Sequence, residues 1–106
     1  MKVQLLTFPG CPNAAAARES LRRALASSGF HVPIEEVNTT APETPERLRG
    51  WGSPTILING ADVTGQEAPD SPSCRLYRDE EGRLRATPPE ALVRSALNLA
   101  ARGGKA

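Results

Sequence analysis

The residue best placed for chemistry in this 106-residue sequence is Cys11, within residues 8–13 (FPGCPN). This run joins a strand-like stretch to a helical one, so we expect Cys11 to cap the helix. The free N–H groups and positive dipole end of a helix favour a thiolate, which predicts a lowered pKa and a nucleophilic sulfur. Free cysteine can also be a small buried hydrophobic residue, but the loop-to-helix setting favours the reactive interpretation.

Cys74 is the second of the two cysteines in the sequence. Two cysteines are too few for a disulfide scaffold, and no signal-peptide pattern opens the chain. We therefore expect a cytoplasmic protein with free thiols. Cys74 could be a reactive thiol or a metal ligand. It could equally be a buried structural thiol beside Leu76 and Tyr77.

Residues 52–55 (GSPT) introduce a predicted strand. Pro54 has no N–H to donate within a sheet, so it belongs at the first strand position. The bond between Ser53 and Pro54 could be cis, as some X-Pro bonds in tight turns are. The residues alone favour a trans proline that simply marks the strand start.

The first half of the chain has a clear order of elements that would position these residues. Pro12 suits the first position of a helix and Gly29 suits its end. Pro33 indicates an edge position or an irregular start for the strand that follows this helix. We expect a strand over 2–8, a helix over 12–28, a strand over 31–37, and a short helix over 45–49 capped by Thr44.

The second half begins with a predicted hairpin. Asn59-Gly60 between residues 55–58 and 61–64 is a strong signal for a two-residue turn. Residues 65–86 are harder to read: Ser71-Pro72 could start a helical turn carrying Cys74, and Glu81-Gly82 could be a turn. Residues 87–90 (TPPE) resemble a capping box that opens the last helix. The order predicts one domain over residues 1–106, a small mixed sheet with helices on both faces.

Taken together, these features resemble the thioredoxin and glutaredoxin superfamily. A strand, a Cys-Pro before a helix, a Ser-Pro-Thr before a hairpin strand and a closing helix carry the resemblance over most of the chain. It implies an α/β fold, a thioredoxin-like three-layer sandwich in the order β-α-β-α-β-β-α. It also implies a cis Pro54 beside Cys11 and a Ser53 backbone that pairs with a thiol peptide or glutathione. We therefore assign substrate binding to Pro12, Ser53, Pro54 and Thr55.

The sequence departs from the usual Cys-x-x-Cys of that superfamily, because Ala14 stands where the second cysteine would be. The chain thus resembles a monothiol variant. The function that follows is thiol-disulfide exchange with Cys11 as nucleophile, completed by Cys74 or by glutathione as co-substrate. The substrate would be a thiol or disulfide, either a protein or a small molecule.

Two other functions stay open. Facing thiols select soft metals, and small proteins of this kind look like partial relatives of alkylmercury lyases, in which two cysteines grip mercury. Asp70 is then the nearest candidate for the carboxylate that delivers a proton, and several other acidic residues could take the same role. The third possibility is a non-catalytic module that keeps the fold as a binding platform.

Composition excludes several other classes of function. Thirteen basic and twelve acidic residues give a net charge of +1, without the basic cluster that nucleic-acid binding requires. A single histidine rules out paired-histidine metal sites, and no apolar run is long enough to span a bilayer. We expect no resident metal or cofactor, and the sequence does not predict the oligomeric state. Arg75 and Arg78 could stabilise a thiolate or bind a carboxylate of glutathione, but solvated surface positions are the default for arginine.

Overall fold

The computed structural model describes residues 1–67, 69 and 74–103, and its architecture is mixed α/β with two α-helices. A 3₁₀ turn spans Glu46–Leu48. None of the helices in these ranges is long and apolar enough to cross a membrane. The regular elements are β1 (Val3–Thr7), α1 (Ala14–Ser27), β2 (Ile34–Asn38), β3 (Thr55–Ile58), β4 (Ala61–Asp62), β5 (Tyr77–Arg78), β6 (Leu84–Arg85) and α2 (Glu90–Ala101).

The main sheet is mixed, with the strand order β2-β1-β3-β4. β1 runs parallel to β2, as expected for strands joined by a helix, and antiparallel to β3. β2 begins after Pro33 and occupies an edge of the sheet, as that proline indicates. Leu6 of β1 lies opposite Thr55 of β3. The C-terminal end of β1 therefore meets the N-terminal end of β3.

The two faces of this sheet are covered differently. Alternate strand residues point to opposite faces, and α1 and α2 both pack on the face that carries Leu5 and Ile56. The opposite face buries Leu6, Leu48, Trp51 and Leu57. In the described chain, the two α-helices thus share one face instead of flanking the sheet.

The short helix expected over residues 45–49 is a 3₁₀ turn of three residues. The expected cap does not form, because the Thr44 hydroxyl donates to the Asn38 carbonyl oxygen. Pro45 is in an extended conformation, with φ −54° and ψ 143°. Leu48 of this turn is nevertheless buried and helps to cover the second face of the sheet.

Both α-helices begin later than the sequence predicts. Asn13 caps α1, and the Ala14 N–H donates to the Cys11 carbonyl oxygen at 3.4 Å. Cys11 is therefore in a turn two residues before the cap. The expectations that Cys11 caps the helix and that Pro12 is its first residue are both wrong. Pro89 precedes α2 without a side-chain cap. The expected capping box is wrong because Pro89 disfavours a helical conformation at the proline before it.

The hairpin between β3 and β4 is confirmed. Asn59 and Gly60 have positive φ values of 52° and 85°, the conformation that a type I′ turn requires and glycine adopts without strain. β4 ends at Asp62, earlier than expected, because the Asp62 carbonyl oxygen accepts the Gly65 N–H in a further turn.

A second hairpin pairs β5 with β6, and its turn contains the expected Glu81-Gly82 step. Ser71 and Pro72 lie outside the described residues. Cys74 itself forms a β-bridge with Ser53, so the expectation that a helical turn carries Cys74 is wrong.

Candidate functional site

Cys11 lies in the loop that leaves the C-terminal end of β1. It is a free, half-buried thiol, and its N–H donates to the Phe8 carbonyl oxygen at 3.2 Å. Because β1 and β3 are antiparallel with Leu6 opposite Thr55, this loop emerges at the end of the sheet where β3 begins. Pro12, the exposed residue after Cys11, lies in the same loop.

The three residues predicted to bind substrate around the start of β3 are Ser53, Pro54 and Thr55, and all are fully buried. The bond between Ser53 and Pro54 is cis, the isomer that the resemblance implies. The Thr55 hydroxyl donates to the Gly52 carbonyl oxygen at 2.6 Å. The Ser53 hydroxyl has no hydrogen-bond partner in the part of the chain that the structure describes. Side chains of these three residues are therefore packed inside the protein.

Cys74 lies beside Ser53, with which it forms a parallel β-bridge. The Arg75 N–H donates to the Ser53 carbonyl oxygen at 2.9 Å and fixes this pairing. Cys74 is free and exposed, so the interpretation of a buried structural thiol is wrong. Cys11 and Cys74 are not joined by a disulfide, and both are attached to segments at the same end of the sheet.

Arg75 forms a buried ion pair with Asp62 of β4. Nη1 lies 2.9 Å from Oδ1 and Nη2 lies 2.9 Å from Oδ2. The side chains are 14% and 0% exposed. The guanidinium lies 5.8 Å from the ring centroid of Trp51 and 4.8 Å from that of Tyr77, close enough for cation–π attraction. Burial is the largest single influence on the pKa of Arg75 and lowers it, but the hydrogen bonds to Asp62 together with the charge interactions with Tyr77 and Asp62 raise that pKa overall.

The expectation that Arg75 is a solvated surface residue is therefore wrong. Besides Asp62, Nη1 donates to the Thr55 hydroxyl at 2.9 Å, while Nη2 contacts Thr64 at 3.0 Å and Gln66 at 3.2 Å. Both terminal nitrogens of Arg75 therefore point into the protein. Arg78 is exposed, as expected, and donates to the Gly82 carbonyl oxygen at 2.7 Å.

Tyr77 also attaches its segment to the start of β3. Its ring is buried, and its hydroxyl donates to the Pro54 carbonyl oxygen. Burial raises the pKa of Tyr77 from 10.0 to about 12, since the phenolate would lose its hydration. Tyr77 therefore stays protonated and can act as a donor throughout the neutral range.

Asp62 is the main residue that the sequence reasoning missed, although a signal was present. A two-residue turn at Asn59-Gly60 fixes the register of the hairpin, with Ile58 opposite Ala61 and Leu57 opposite Asp62. Cross-strand partners share a face of the sheet, so Asp62 lies with Leu57 on the face opposite the two α-helices. A carboxylate in that position needs a cation, which is the role of Arg75.

The soft-metal interpretation gains no support from the described residues. Within residues 1–67, 69 and 74–103, no group of three or more His, Cys, Asp or Glu side chains is placed to hold a metal ion. Asp70, the expected proton donor, lies outside the described residues. Binding of a soft ion by the two thiols stays a prediction.

A cavity of about 640 Å³ lies elsewhere, between the β3–β4 hairpin and α2. Val63, Leu92 and Leu99 are among its lining residues, and neither cysteine is. The thiols and the cavity therefore belong to different parts of the surface.

Comparisons with protein-family models, with curated proteins and with solved structures found no match to this chain.

Proposed function

We propose that the chain is a thiol-disulfide oxidoreductase with a thioredoxin-like fold, and that Cys11 is its nucleophile. Cys74 or glutathione resolves the mixed disulfide that forms on Cys11. The fold assignment is supported by the mixed sheet, in which a parallel β1–β2 pair is followed by an antiparallel β3–β4 hairpin. It is also supported by the position of Cys11 between β1 and α1.

The observation that carries the proposal is the placement of two free thiols at one end of the sheet. The antiparallel register of Leu6 and Thr55 places the Cys11 loop at the end where β3 begins. The bridge between Ser53 and Cys74 attaches the second thiol to that same end. Placement at one end of the sheet supports a resolving role for Cys74, which requires that its sulfur reach the mixed disulfide on Cys11.

In the first step, the Cys11 thiolate attacks one sulfur of a disulfide R–S–S–R′. A Cys11–S–S–R bond forms, the R–S–S–R′ bond breaks, and R′–S⁻ leaves and takes a proton from water. The mixed disulfide keeps the oxidation level of the original disulfide. An accessible thiolate is what this step needs, and Cys11 is half-buried rather than enclosed.

The second step has two routes. The Cys74 thiolate can attack the Cys11 sulfur, which forms a Cys11–Cys74 disulfide and releases R–S⁻. Two glutathione molecules then supply the two electrons that return both cysteines to thiols, and glutathione disulfide is the product. In the shorter route a glutathione thiolate attacks the R sulfur, so R leaves as its mixed disulfide with glutathione and Cys11 leaves as the thiolate.

The test is turnover of the mixed disulfide of glutathione and 2-mercaptoethanol, with glutathione as reductant and formation of glutathione disulfide as the signal. We expect Cys11→Ser to fall to the uncatalysed rate, because the attacking sulfur is gone. Cys74→Ser is the matched control, since it removes the other thiol, and it keeps turnover through glutathione.

Two results would overturn the proposal. One is a wild-type rate equal to the uncatalysed rate, which favours a binding module without catalysis. The other is a Cys11→Ser variant that is as active as the wild type. Circular dichroism on each variant separates loss of the thiol from loss of the fold.

A further inference from the structure

The start of β3 already accepts hydrogen bonds from another segment of the same chain. Residues 75–77 supply a donor to each of three consecutive residues. The Arg75 N–H donates to the Ser53 carbonyl oxygen, and the Tyr77 hydroxyl donates to the Pro54 carbonyl oxygen. The Arg75 guanidinium donates to the Thr55 hydroxyl. Two main-chain acceptors and one side-chain acceptor beside the thiols are therefore occupied.

These contacts matter for the kind of substrate that can bind. An extended polypeptide that adds to a sheet gains much of its affinity from main-chain hydrogen bonds. At Ser53 the carbonyl oxygen is engaged at 2.9 Å by Arg75, so an incoming strand would have to displace this segment. A small disulfide needs only access to the sulfur of Cys11.

The segment is also held firmly in place. Arg75 is anchored by both oxygens of Asp62, whose side chain is 0% exposed. Moving Arg75 away would leave that carboxylate buried without its cation, which is strongly unfavourable. The rings of Trp51 and Tyr77 lie on the guanidinium and add to the anchor.

We propose that the Arg75–Asp62 pair makes the thiol site selective for small disulfides, of the size of a glutathione mixed disulfide, over disulfides carried on extended polypeptides. This inference rests on the proposed function of Cys11. Arg75 is here a specificity-determining residue, which acts by keeping residues 74–77 on the start of β3, and it takes no part in the exchange of sulfur.

The test compares kcat/KM for two substrates: the mixed disulfide of glutathione with 2-mercaptoethanol, and that of glutathione with a cysteine inside a short unstructured peptide. In each case the Cys11 thiolate takes the glutathionyl group and releases the other thiol, and free glutathione regenerates Cys11. We expect the wild type to prefer the small disulfide by about tenfold or more, within the range that binding differences supply.

Two variants weaken the Arg75–Asp62 pair and leave Cys11 unchanged. Arg75→Lys keeps the positive charge but loses the two-pronged geometry, and Asp62→Asn removes the buried charge. We expect both variants to prefer the small disulfide several-fold less than the wild type does, because their kcat/KM for the peptide substrate rises. Arg18→Lys is the matched control, because Arg18 makes a two-pronged pair with Glu36 at the surface. Its preference should equal that of the wild type.

Because partial unfolding lowers both rates together, the ratio reports selectivity rather than stability. A wild type without preference, or folded variants with the wild-type ratio, overturns the inference while Cys11 remains the nucleophile. If the wild type turns over neither substrate, the proposed function fails, and the inference fails with it.

Discussion

Arg75 and Asp62 form a two-pronged ion pair, with both N–O distances at 2.9 Å and the carboxylate removed from solvent. The pair joins β4 to the segment that carries Cys74. It therefore links the interior of the domain directly to the position of an exposed thiol.

Removing either partner of this pair should destabilise the protein. Asp62→Asn and Arg75→Met are each expected to lower the free energy of unfolding by about 3–5 kcal/mol, because an uncompensated charge stays buried. Urea unfolding followed by the fluorescence of the single tryptophan, Trp51, measures this loss. Arg18→Met breaks an exposed pair and should cost far less. Equal losses in the buried and exposed pairs would contradict this assignment.

Tyr77 predicts a specific dependence of stability on pH. Its pKa is about 12 in the folded chain against 10.0 ordinarily, because burial disfavours the phenolate. The folded protein thus holds this proton more tightly than the unfolded chain. The contribution of Tyr77 to stability is complete below pH 10 and is lost as the pH rises towards 12.

Two measurements check this prediction. Tyr77 is the only tyrosine, so the ultraviolet absorbance of tyrosinate titrates it alone, with an expected midpoint near pH 12. In Tyr77→Phe, the free energy of unfolding should fall less steeply than in the wild type between pH 10 and 12. A midpoint at the ordinary value of 10.0 would show that the ring is not buried.

Ser53 and Thr55 give opposite predictions although both are fully buried hydroxyl residues. The Ser53 hydroxyl has no partner among the described residues, so Ser53→Ala should leave the free energy of unfolding unchanged or raise it by about 1–3 kcal/mol. Thr55→Val should lower it by about 1–3 kcal/mol, because the Gly52 carbonyl oxygen and Arg75 lose their bonds. Equal destabilisation of both variants in urea would refute the difference.

Local signals in the sequence were enough to predict much of the fold. The Asn59-Gly60 turn, the parallel first strand pair and the two long helices follow from short-range patterns and are present. Helix starts were wrong where prolines impose extended backbone, as at Pro89. The expected helix on the second face was also wrong, because Thr44 bonds to Asn38, six residues before it, instead of capping a helix, and only a 3₁₀ turn forms.

The candidate site was less accessible to sequence reasoning. Cys11 stands out through its neighbours in the chain, but the surroundings of Arg75 depend on residues that precede it by nine to twenty-four positions. Only the three-dimensional arrangement shows that Arg75 is buried and that Cys74 pairs with Ser53. Charge and side-chain type alone placed Arg75 in solvent, since arginine is usually there.

In the proposed function, Cys11 rather than Cys74 is the reactive thiol. The most direct measurement uses the variants Cys74→Ser and Cys11→Ser, each with one remaining thiol, and follows the rate of mixed-disulfide formation with glutathione disulfide by peptide mass. The same reaction in urea gives the reactivity of each thiol without the fold.

Cys74 is exposed and Cys11 is only half-buried, so exposure alone predicts that Cys74 reacts faster. We predict the opposite: folded Cys11 reacts about tenfold faster or more than folded Cys74, and the two rates converge in urea. If Cys74 reacts faster than Cys11 in the folded protein, Cys11 is not the nucleophile.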